Sequence, residues 1–335
     1  MIGAQEKKIR RIMIAAPKSG SGKTMITCGL LQIFKENGEN ISSCKCGPDY
    51  IDPMFHKAVL GIPSRNLDLF FISEREVRGQ IVRSIPQNGI GVIEGVMGFY
   101  DGVSGTTDTA SAAHLARETG TPAILVVRPK GQSLSLAAML SGFRNFAENT
   151  LCGVILNGIS DIMYSFYRDI VQKSGLKVLG YLPSVPEAEI PDRHLGLVTA
   201  DELKDLNYRL DLLADAAENR IDIEQILKIS RTASQLSDDS EKISSVTKKP
   251  VRIAVARDKA FCFYYEDNFE VLRDLGAELV EFSPISDSRI PENTDGLYLG
   301  GGYPELYAQA LSENASMRSS IKSALESGLP CIAEC

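Results

Sequence analysis

A glycine-rich run near the N-terminus has the residue types of a phosphate-binding loop. It follows the first apolar stretch and reads Ala16-Pro17-Lys18-Ser19-Gly20-Ser21-Gly22-Lys23-Thr24. In such a loop the glycines let backbone N–H groups converge on phosphate oxygens, a lysine reaches the β- and γ-phosphates, and a hydroxyl holds Mg²⁺. We therefore predict that the residues from Ser19 to Thr24 bind ATP with Mg²⁺. A glycine-rich turn that merely caps a helix is the alternative.

Two carboxylates three residues apart follow the second predicted strand. They are Asp49 and Asp52, in the run Lys45-Cys46-Gly47-Pro48-Asp49-Tyr50-Ile51-Asp52-Pro53. The carboxyl ends of parallel strands form the edge where ligands bind, and an acid pair there suits Mg²⁺, which prefers oxygen ligands. The other interpretation is an Asx-type turn in which the aspartates cap a helix. These residues alone leave both interpretations open.

A third acidic residue, Glu94, ends an apolar strand at the same expected edge as the phosphate loop. A Walker-B-type acid in this position holds Mg²⁺ or its water, although a plain strand-end carboxylate is the alternative. The convergence of three loops favours the metal. Three glycines after it let the backbone approach a substrate closely: Gly95, Gly98 and Gly102. The predicted metal ligands are Thr24, Asp49 and Glu94, the predicted catalytic acids are Glu94, Asp49 and Asp52, and Lys45 is a predicted nucleotide contact.

Two further polar residues are candidates for binding. Asn157 ends a predicted strand and is predicted to read the nucleotide base as in related folds; an Asn that simply finishes a strand is the alternative. His194 lies in the loop Pro191-Asp192-Arg193-His194-Leu195-Gly196 before a predicted helix. We predict a substrate-binding or structural role for it, against a surface histidine without a role.

Cys335 follows the apolar run Leu329–Glu334, which predicts a buried strand. A strand that ends in Cys resembles the place where a class I glutamine amidotransferase has its nucleophile, on a tight turn that directs backbone N–H groups at the substrate carbonyl. The turn, the following helix and a later His are not in this sequence, so we expect a glutaminase domain cut at its catalytic residue. A Cys nucleophile needs a His to become a thiolate.

The elements that must position these residues follow an α/β pattern. Short β-branched runs alternate with amphipathic stretches, which predicts a parallel sheet wrapped by helices. Between residues 231 and 250 the apolar content gives way to Ser, Thr, Asp and Lys, which predicts a linker. We therefore predict a P-loop domain over residues 1–230, a linker over 231–250 and a truncated α/β domain over 251–335. The predicted strands are 12–16, 41–45, 90–94, 123–127, 154–157, 178–182, 253–256, 279–282 and 297–299.

Composition predicts a cytoplasmic enzyme. The chain has 335 residues and a net charge of −7, which argues against a nucleic-acid partner. No apolar stretch approaches the roughly 18 residues that a membrane helix needs, and the N-terminus lacks a signal peptide, so no membrane partner is expected. The seven cysteines are odd in number and are expected to be mostly free, buried thiols.

Several longer motifs, in this order, resemble the cobyrinic acid a,c-diamide synthase family. They are Lys45 to His56, Asn66-Leu67-Asp68, Glu94-Gly95-Val96-Met97-Gly98-Phe99-Tyr100-Asp101-Gly102, Arg193 to Leu197 and Leu299-Gly300-Gly301-Gly302-Tyr303-Pro304-Glu305. The resemblance implies a doubly wound, dethiobiotin-synthetase-like amide synthetase joined to a class I glutaminase. It also implies amidation of the a and c carboxylates of cobyrinic acid in cobalamin biosynthesis, with ATP and with glutamine or ammonia.

The resemblance further implies roles for particular residues. ATP would convert the carboxylate into an acyl phosphate that ammonia attacks. Cys335 would release the ammonia from glutamine, with the oxyanion near Gly301 and Gly302. A homodimer is also suggested by the family. The implied substrate contacts are Tyr100, Asp101, Arg193 and His194.

Two other functions remain open. The shared motifs do not separate cobyrinic acid from hydrogenobyrinic acid or nickel-sirohydrochlorin as the tetrapyrrole substrate. A partitioning or metal-insertion ATPase is the more distant alternative. Lys18 suggests it, because it resembles the extra lysine of a deviant group of phosphate-binding loops, and Pro17 also departs from the usual glycine.

Overall fold

A seven-stranded parallel sheet forms the centre of the first of two compact units, Met1–Ser240 and Glu241–Cys335. The computed structural model describes residues 6–189, 192–193, 196–197, 205–241, 243–246 and 249–335. In the first unit these form β1 (Arg10–Ala15), α1 (Lys23–Glu36), β2 (Ile41–Cys46), α2 (Ile51–Leu60), β3 (Arg65–Leu67), α3 (Glu74–Ser84), β4 (Ile90–Glu94), α4 (Ala112–Thr119), β5 (Ala123–Val127), α5 (Leu134–Asn145), β6 (Leu151–Asn157), α6 (Asp161–Gln172), β7 (Lys177–Leu182), β8 (Asp192–Arg193), β9 (Gly196–Leu197), α7 (Leu206–Glu218) and α8 (Ile223–Ser230).

The strand order of this sheet is β3-β2-β4-β1-β5-β6-β7, and β1 pairs in parallel with both β4 and β5. The central strands β4 and β5 are buried along their whole length, as expected for a parallel sheet with helices on both faces. The chain order reverses beside β1, and ligands bind at the carboxyl edge of such a reversal. The predicted α/β fold class is confirmed. The three-residue strand β3 was missed, because Arg-Asn-Leu has no β-branched residue and its strand conformation depends on pairing with β2.

The second unit has a smaller parallel sheet of order β12-β10-β13-β15 and a separate antiparallel pair, β11 with β14. Its buried core includes Ala254, Phe282 and Leu297. Its elements are β10 (Val251–Ala256), β11 (Phe261–Phe263), α9 (Glu266–Asp274), β12 (Ala277–Phe282), β13 (Gly296–Leu299), β14 (Gly301–Gly302), α10 (Ala308–Glu313), α11 (Ala315–Glu326) and β15 (Cys331–Ala333).

The prediction of a buried strand before Cys335 was half right. The strand exists as β15 and pairs in parallel with β13, but all three of its residues are exposed. The side chain of Ile332 is 61% exposed. The reason is position, because β15 is the edge strand of its sheet.

Residues 231–236, expected as the start of a linker, pack on the first unit. Leu236 exchanges two backbone hydrogen bonds with Lys7, and the Ser234 N–H donates to the Gly120 carbonyl at 3.0 Å. A Cβ at Gly120 would lie 2.1 Å from Ser234 Oγ, so the close approach requires glycine. The polar composition predicts a linker because it reflects side chains only, whereas these contacts are made by backbone groups. The domain boundaries at 230 and 251 stay predictions.

Among the described residues, none of the helices combines the length and the apolar character that crossing a membrane requires.

Candidate active site

Lys45 and Glu94 meet because their strands run side by side. In the register of β2 and β4 the two residues are direct partners. Lys45 Nζ lies 3.2 Å from Glu94 Oε1 and donates to the Gly95 carbonyl at 3.1 Å. The same ammonium binds Asp52 Oδ2, from the first turn of α2. A buried lysine therefore lies between two carboxylates at the carboxyl edge of the sheet.

The hydroxyl of the phosphate loop faces the same carboxylates. Thr24 Oγ1 lies 2.7 Å from Glu94 Oε1 and 3.1 Å from Asp52 Oδ1. The fold therefore brings together Thr24 of α1, Asp52 of α2 and Glu94 of β4. These oxygens are the hard ligands that Mg²⁺ prefers. Asp52, a predicted catalytic acid, lies in this set beside two of the predicted metal ligands, Thr24 and Glu94.

Asp49 has the helix-capping contacts of the alternative interpretation. Its Oδ1 accepts hydrogen bonds from the N–H groups of Ile51 at 2.9 Å and Asp52 at 3.1 Å. Its Oδ2 lies 3.6 Å from Lys45 Nζ. Asp49, one residue before the N-cap Tyr50, thus satisfies two N–H groups of the turn that carries Asp52. The metal role of Asp49 stays a prediction.

His56 was missed by sequence reasoning and is part of this cluster. Its Nε2 lies 2.8 Å from Glu94 Oε2, its Nδ1 lies 3.1 Å from Ser64 Oγ, and its side chain is fully buried. The available signal was the spacing, because residues four apart on a helix share a face and His56 is four residues after Asp52 on α2. His56 fixes one oxygen of Glu94 and leaves the other toward Thr24 and Lys45.

The charges of the cluster are unevenly shared. Burial alone would raise the pKa of the Glu94 carboxyl, but Lys45 and the hydrogen bonds from His56 and Thr24 hold it well below its ordinary value. Burial raises the pKa of the Asp52 carboxyl well above its ordinary value, and the charge of Glu94 adds to this against the attraction of Lys45. A divalent cation would favour the ionised form of Asp52. The donor set and its charge therefore fit Mg²⁺.

The glycine-rich loop turns sharply before α1. Gly20 and Gly22 have left-handed φ angles of 73° and 93°, and α1 begins directly after Gly22. Lys23 Nζ donates to the Met97 carbonyl at 2.7 Å, in the loop after β4. Burial lowers the pKa of the Lys23 ammonium, and the charge of Lys45 lowers it further. The loop and the Glu94 segment are therefore in direct contact. Ser19 is exposed in this loop, and Ser21 is buried.

Of the four predicted substrate residues, the structure describes the side chains of Tyr100 and Asp101. Asp101 is exposed, and its Oδ2 accepts the Gly98 N–H at 2.9 Å. The Tyr100 hydroxyl donates to the Phe143 carbonyl of α5 at 2.7 Å, so it is engaged in packing. Arg193 lies in β8, but its side chain and His194 lie outside the described residues. The substrate roles of these four residues stay predictions.

In the second unit, Cys335 lies beside one of the two predicted oxyanion glycines. A Cβ built on Gly301 would lie 3.1 Å from Cys335 Cβ and 3.5 Å from its Sγ. Gly301 and Gly302 form β14, in register with Phe263 and Phe261 of β11. Cys335 has a φ of 84°, a left-handed value that is strained for a residue with a side chain.

Tyr264 holds the start of the glycine run. Its hydroxyl accepts the Gly300 N–H at 2.8 Å and donates to the Ala256 carbonyl. Burial raises the pKa of Tyr264 to about 12, so the hydroxyl keeps its proton for this bond. No local pattern of residues predicts this contact, because it joins residues 36 positions apart.

Comparisons with known protein families match two separate parts of the chain. Residues 12–198 match the family model of the CobQ/CobB/MinD/ParA nucleotide binding domain, and residues 252–335 match that of the CobB/CobQ-like glutamine amidotransferase domain. Among solved structures, the MinD cell division protein of Aquifex aeolicus is similar to 66% of this chain and 95% of its own, with 16% identity and a TM-score of 0.39.

Two curated relatives are similar over nearly the whole chain. The cobyrinate a,c-diamide synthase of Clostridium acetobutylicum is 44% identical over 332 residues, which are 98% of this chain and 74% of the relative. That of Clostridium tetani is 41% identical over 328 residues, which are 98% of this chain and 73% of the relative. The predicted resemblance is confirmed, and the chain belongs to the cobyrinate a,c-diamide synthase family.

Proposed function

We propose that this chain is a ligase that amidates the a and c carboxylates of cobyrinic acid in corrinoid synthesis, with glutamine as the nitrogen donor. The observation that carries the proposal is the cluster of Thr24, Lys45, Asp52 and Glu94 at the end of a phosphate loop. Family membership supports the amide product and the use of glutamine. ATP, Mg²⁺ and an acyl phosphate are the further parts of the proposal.

The chemistry of amidation explains why such a cluster is needed. A carboxylate is a poor acyl donor at neutral pH, so its oxygen first attacks the γ-phosphorus of ATP, and ADP leaves. When bound, ATP would supply the phosphoryl group, and Mg²⁺ would balance the charge of the Asp52 and Glu94 carboxylates. Lys23 and the loop N–H groups hold the phosphate oxygens, where charge develops during transfer. Ammonia then attacks the acyl carbon, and inorganic phosphate leaves.

The second unit supplies the ammonia in this proposal. The Sγ of Cys335 attacks the side-chain carbonyl carbon of glutamine, the C–N bond breaks, and ammonia leaves with a thioester left on the enzyme. Water then hydrolyses the thioester to glutamate. The closeness of Cys335 to Gly301 supports an oxyanion site between them. Residues 241–335 contain no histidine, the usual base for a thiol, so nitrogen is best supplied in two forms when the activity is tested.

The decisive experiment is mass spectrometry of products after incubation with cobyrinic acid, ATP and Mg²⁺. Each reaction contains either ammonium or glutamine, and hydrogenobyrinic acid and nickel-sirohydrochlorin are tested as parallel substrates. We expect the a,c-diamide with ammonium from the wild type and from Cys335→Ser, and about 10² to 10³ times less of it from Glu94→Gln. ATP hydrolysis without any amide would instead favour the partitioning ATPase.

A homodimer in the cytoplasm completes the proposal. Family resemblance supports the dimer, and the free cysteines support a reducing, cytoplasmic setting. Light scattering at several protein concentrations measures the oligomeric state, and fractionation of cells measures the localisation.

A further inference from the structure

The side chain of Asn157 is hydrogen-bonded to the phosphate loop itself. Asn157 is the last residue of β6, it is buried, and its Nδ2 donates to the Ser21 carbonyl at 2.9 Å. A Cβ built on Gly22 would lie 2.0 Å from the same nitrogen. The amide group therefore packs directly against the peptide that joins Ser21 to Gly22.

This peptide lies at a point where the loop has few other supports. Gly22 is the N-cap of α1 and offers no side chain to cap the helix. On the other side of the peptide, Ser21 Oγ donates to the Lys18 carbonyl at 2.8 Å. Gly20 and Gly22 are both left-handed, and glycine loses the most conformational freedom on folding. A hydrogen bond that fixes this peptide therefore removes a large share of the freedom of the loop.

The planarity of the peptide links the contact to phosphate binding. In a trans peptide the C=O of one residue and the N–H of the next point in opposite directions. When Asn157 holds the Ser21 carbonyl on the β6 side, the Gly22 N–H is directed to the other side. N–H groups of such a loop bind phosphate oxygens.

We propose that Asn157 is a positioning residue of the phosphate loop, which fixes the Ser21–Gly22 peptide before the nucleotide arrives. The inference rests on the proposed function because it takes the loop to bind a triphosphate. It differs from the base-reading role that the sequence predicts for Asn157. Positioning of the loop affects the binding of every triphosphate, whereas a base contact affects only ligands that carry adenine.

The test measures dissociation constants for ATP, GTP and inorganic triphosphate, each with Mg²⁺, by calorimetry on the full chain. The variants are Asn157→Ala and Asn157→Asp, and Asp keeps the shape of the side chain but cannot donate to the Ser21 carbonyl. Asn145→Ala is the matched control, because Asn145 is exposed and donates to Ser141 within α5. Melting temperatures show whether each variant is folded.

We expect Asn157→Ala to weaken the binding of all three ligands by a similar factor of about ten, as the loss of a buried hydrogen bond implies. Asn157→Asp should weaken the binding of all three at least as much, because its carboxylate also repels the triphosphate. The control should bind like the wild type. Weaker ATP binding with unchanged inorganic triphosphate would overturn the proposal and support base reading. A wild-type chain that binds none of the three ligands would refute the nucleotide site of the proposed function, and with it the positioning role of Asn157.

A double-mutant cycle keeps the inference testable if one variant is unstable. Gly22→Ala places a methyl group where the Asn157 amide lies, so it should weaken triphosphate binding strongly in the wild type. In the Asn157→Ala background the space is free and only the backbone strain remains. We expect the loss to be several times smaller there, and equal losses in both backgrounds would contradict the proposed contact.

Discussion

At the scale of single residues, the site depends on how two buried carboxylates share one lysine. Glu94 is surrounded by Lys45, His56 and Thr24, whereas Asp52 has Lys45 and Thr24 but also faces the charge of Glu94. Glu94 is therefore held ionised. Burial and the charge of Glu94 instead favour the protonated form of Asp52. The two residues should respond differently to substitution.

Glu94→Gln removes the carboxylate charge that Lys45, His56 and Thr24 contact. We expect amide formation with ammonium to fall by a factor of about 10² to 10³, the usual effect of losing one electrostatic group in a preorganised site. Product formation is measured by mass spectrometry at saturating ATP. Glu224→Gln is the control, because Glu224 is exposed on α8 and pairs with Lys228. If Glu94→Gln retains most of the activity, the role of Glu94 is wrong.

Asp52→Asn should stabilise the nucleotide-free protein at high pH while it abolishes activity. The raised pKa of Asp52 means that, above the pKa of the unfolded carboxyl, the folded state binds more protons than the unfolded state. Stability from this group is therefore lost as pH rises through its folded pKa, and Asn avoids the loss.

Melting temperatures at pH 5 and pH 8, without nucleotide or Mg²⁺, check this expectation. The advantage of Asp52→Asn over the wild type should be larger at pH 8. An equal advantage at both values, or a lower melting temperature at pH 8, would contradict the electrostatic explanation.

At the scale of elements, α2 carries Asp52 and His56 of the site, and Asp49 binds the first turn of that helix. Its Oδ1 accepts two backbone N–H groups of the first turn, which also carries Asp52. His56 follows one turn later on the same helix and reaches Glu94 of β4. A change at the start of α2 therefore moves two members of the cluster together.

Substitutions of Asp49 separate capping from metal binding. Asn retains the side-chain oxygen that caps α2, so Asp49→Asn should keep the stability and most of the activity. Asp49→Ala should lower the free energy of unfolding by about 1 kcal/mol and should also reduce activity, because Asp52 shifts.

Asp222→Ala is the matched control for this helix. Asp222 caps α8 through the Gln225 N–H at 2.9 Å, so a similar loss of stability should leave activity unchanged. Denaturation curves and product assays measure both quantities. If Asp49→Asn is as inactive as Asp49→Ala, the carboxylate itself is needed, as our sequence-based metal assignment requires.

At the scale of the whole molecule, a buried arginine fastens the end of the first unit to its sheet. Arg11 of β1 donates to Thr121 Oγ1 and to the carbonyl oxygens of Ile9, Thr119 and Ser234. Burial lowers the pKa of Arg11 to about 10, which still leaves it charged at neutral pH. The bond to the Ser234 carbonyl holds residues 231–236 against the unit, although their composition is that of a linker.

Arg11→Met should destabilise the first unit by about 3 kcal/mol, because the carbonyl partners stay buried without a donor. Hydrogen exchange of a peptide covering residues 231–240 should also become faster. Arg168→Met is the control, since Arg168 is a half-exposed residue of α6 that pairs with its neighbour Asp169. Unchanged exchange in Arg11→Met would mean that the segment is held by its backbone bonds alone.

The sequence alone determined the α/β class, the phosphate loop and the acids beside it. These features are encoded locally: strand periodicity, the Gly20 to Thr24 run and a carboxylate at the end of β4 each need a few consecutive residues. The places of most predicted strands agree with the structure for the same reason. The family resemblance also rests on contiguous motifs.

Only the tertiary structure decided which side chains meet. It placed Asp52 in the cluster and Asp49 at the helix cap, and it joined His56 to Glu94 across 38 positions. It directed Asn157 to a loop carbonyl 136 positions away and fastened Ser234 to Arg11 across 223. Each of these outcomes depends on the packing of distant elements and on the burial that follows from it, which no local pattern of residues records.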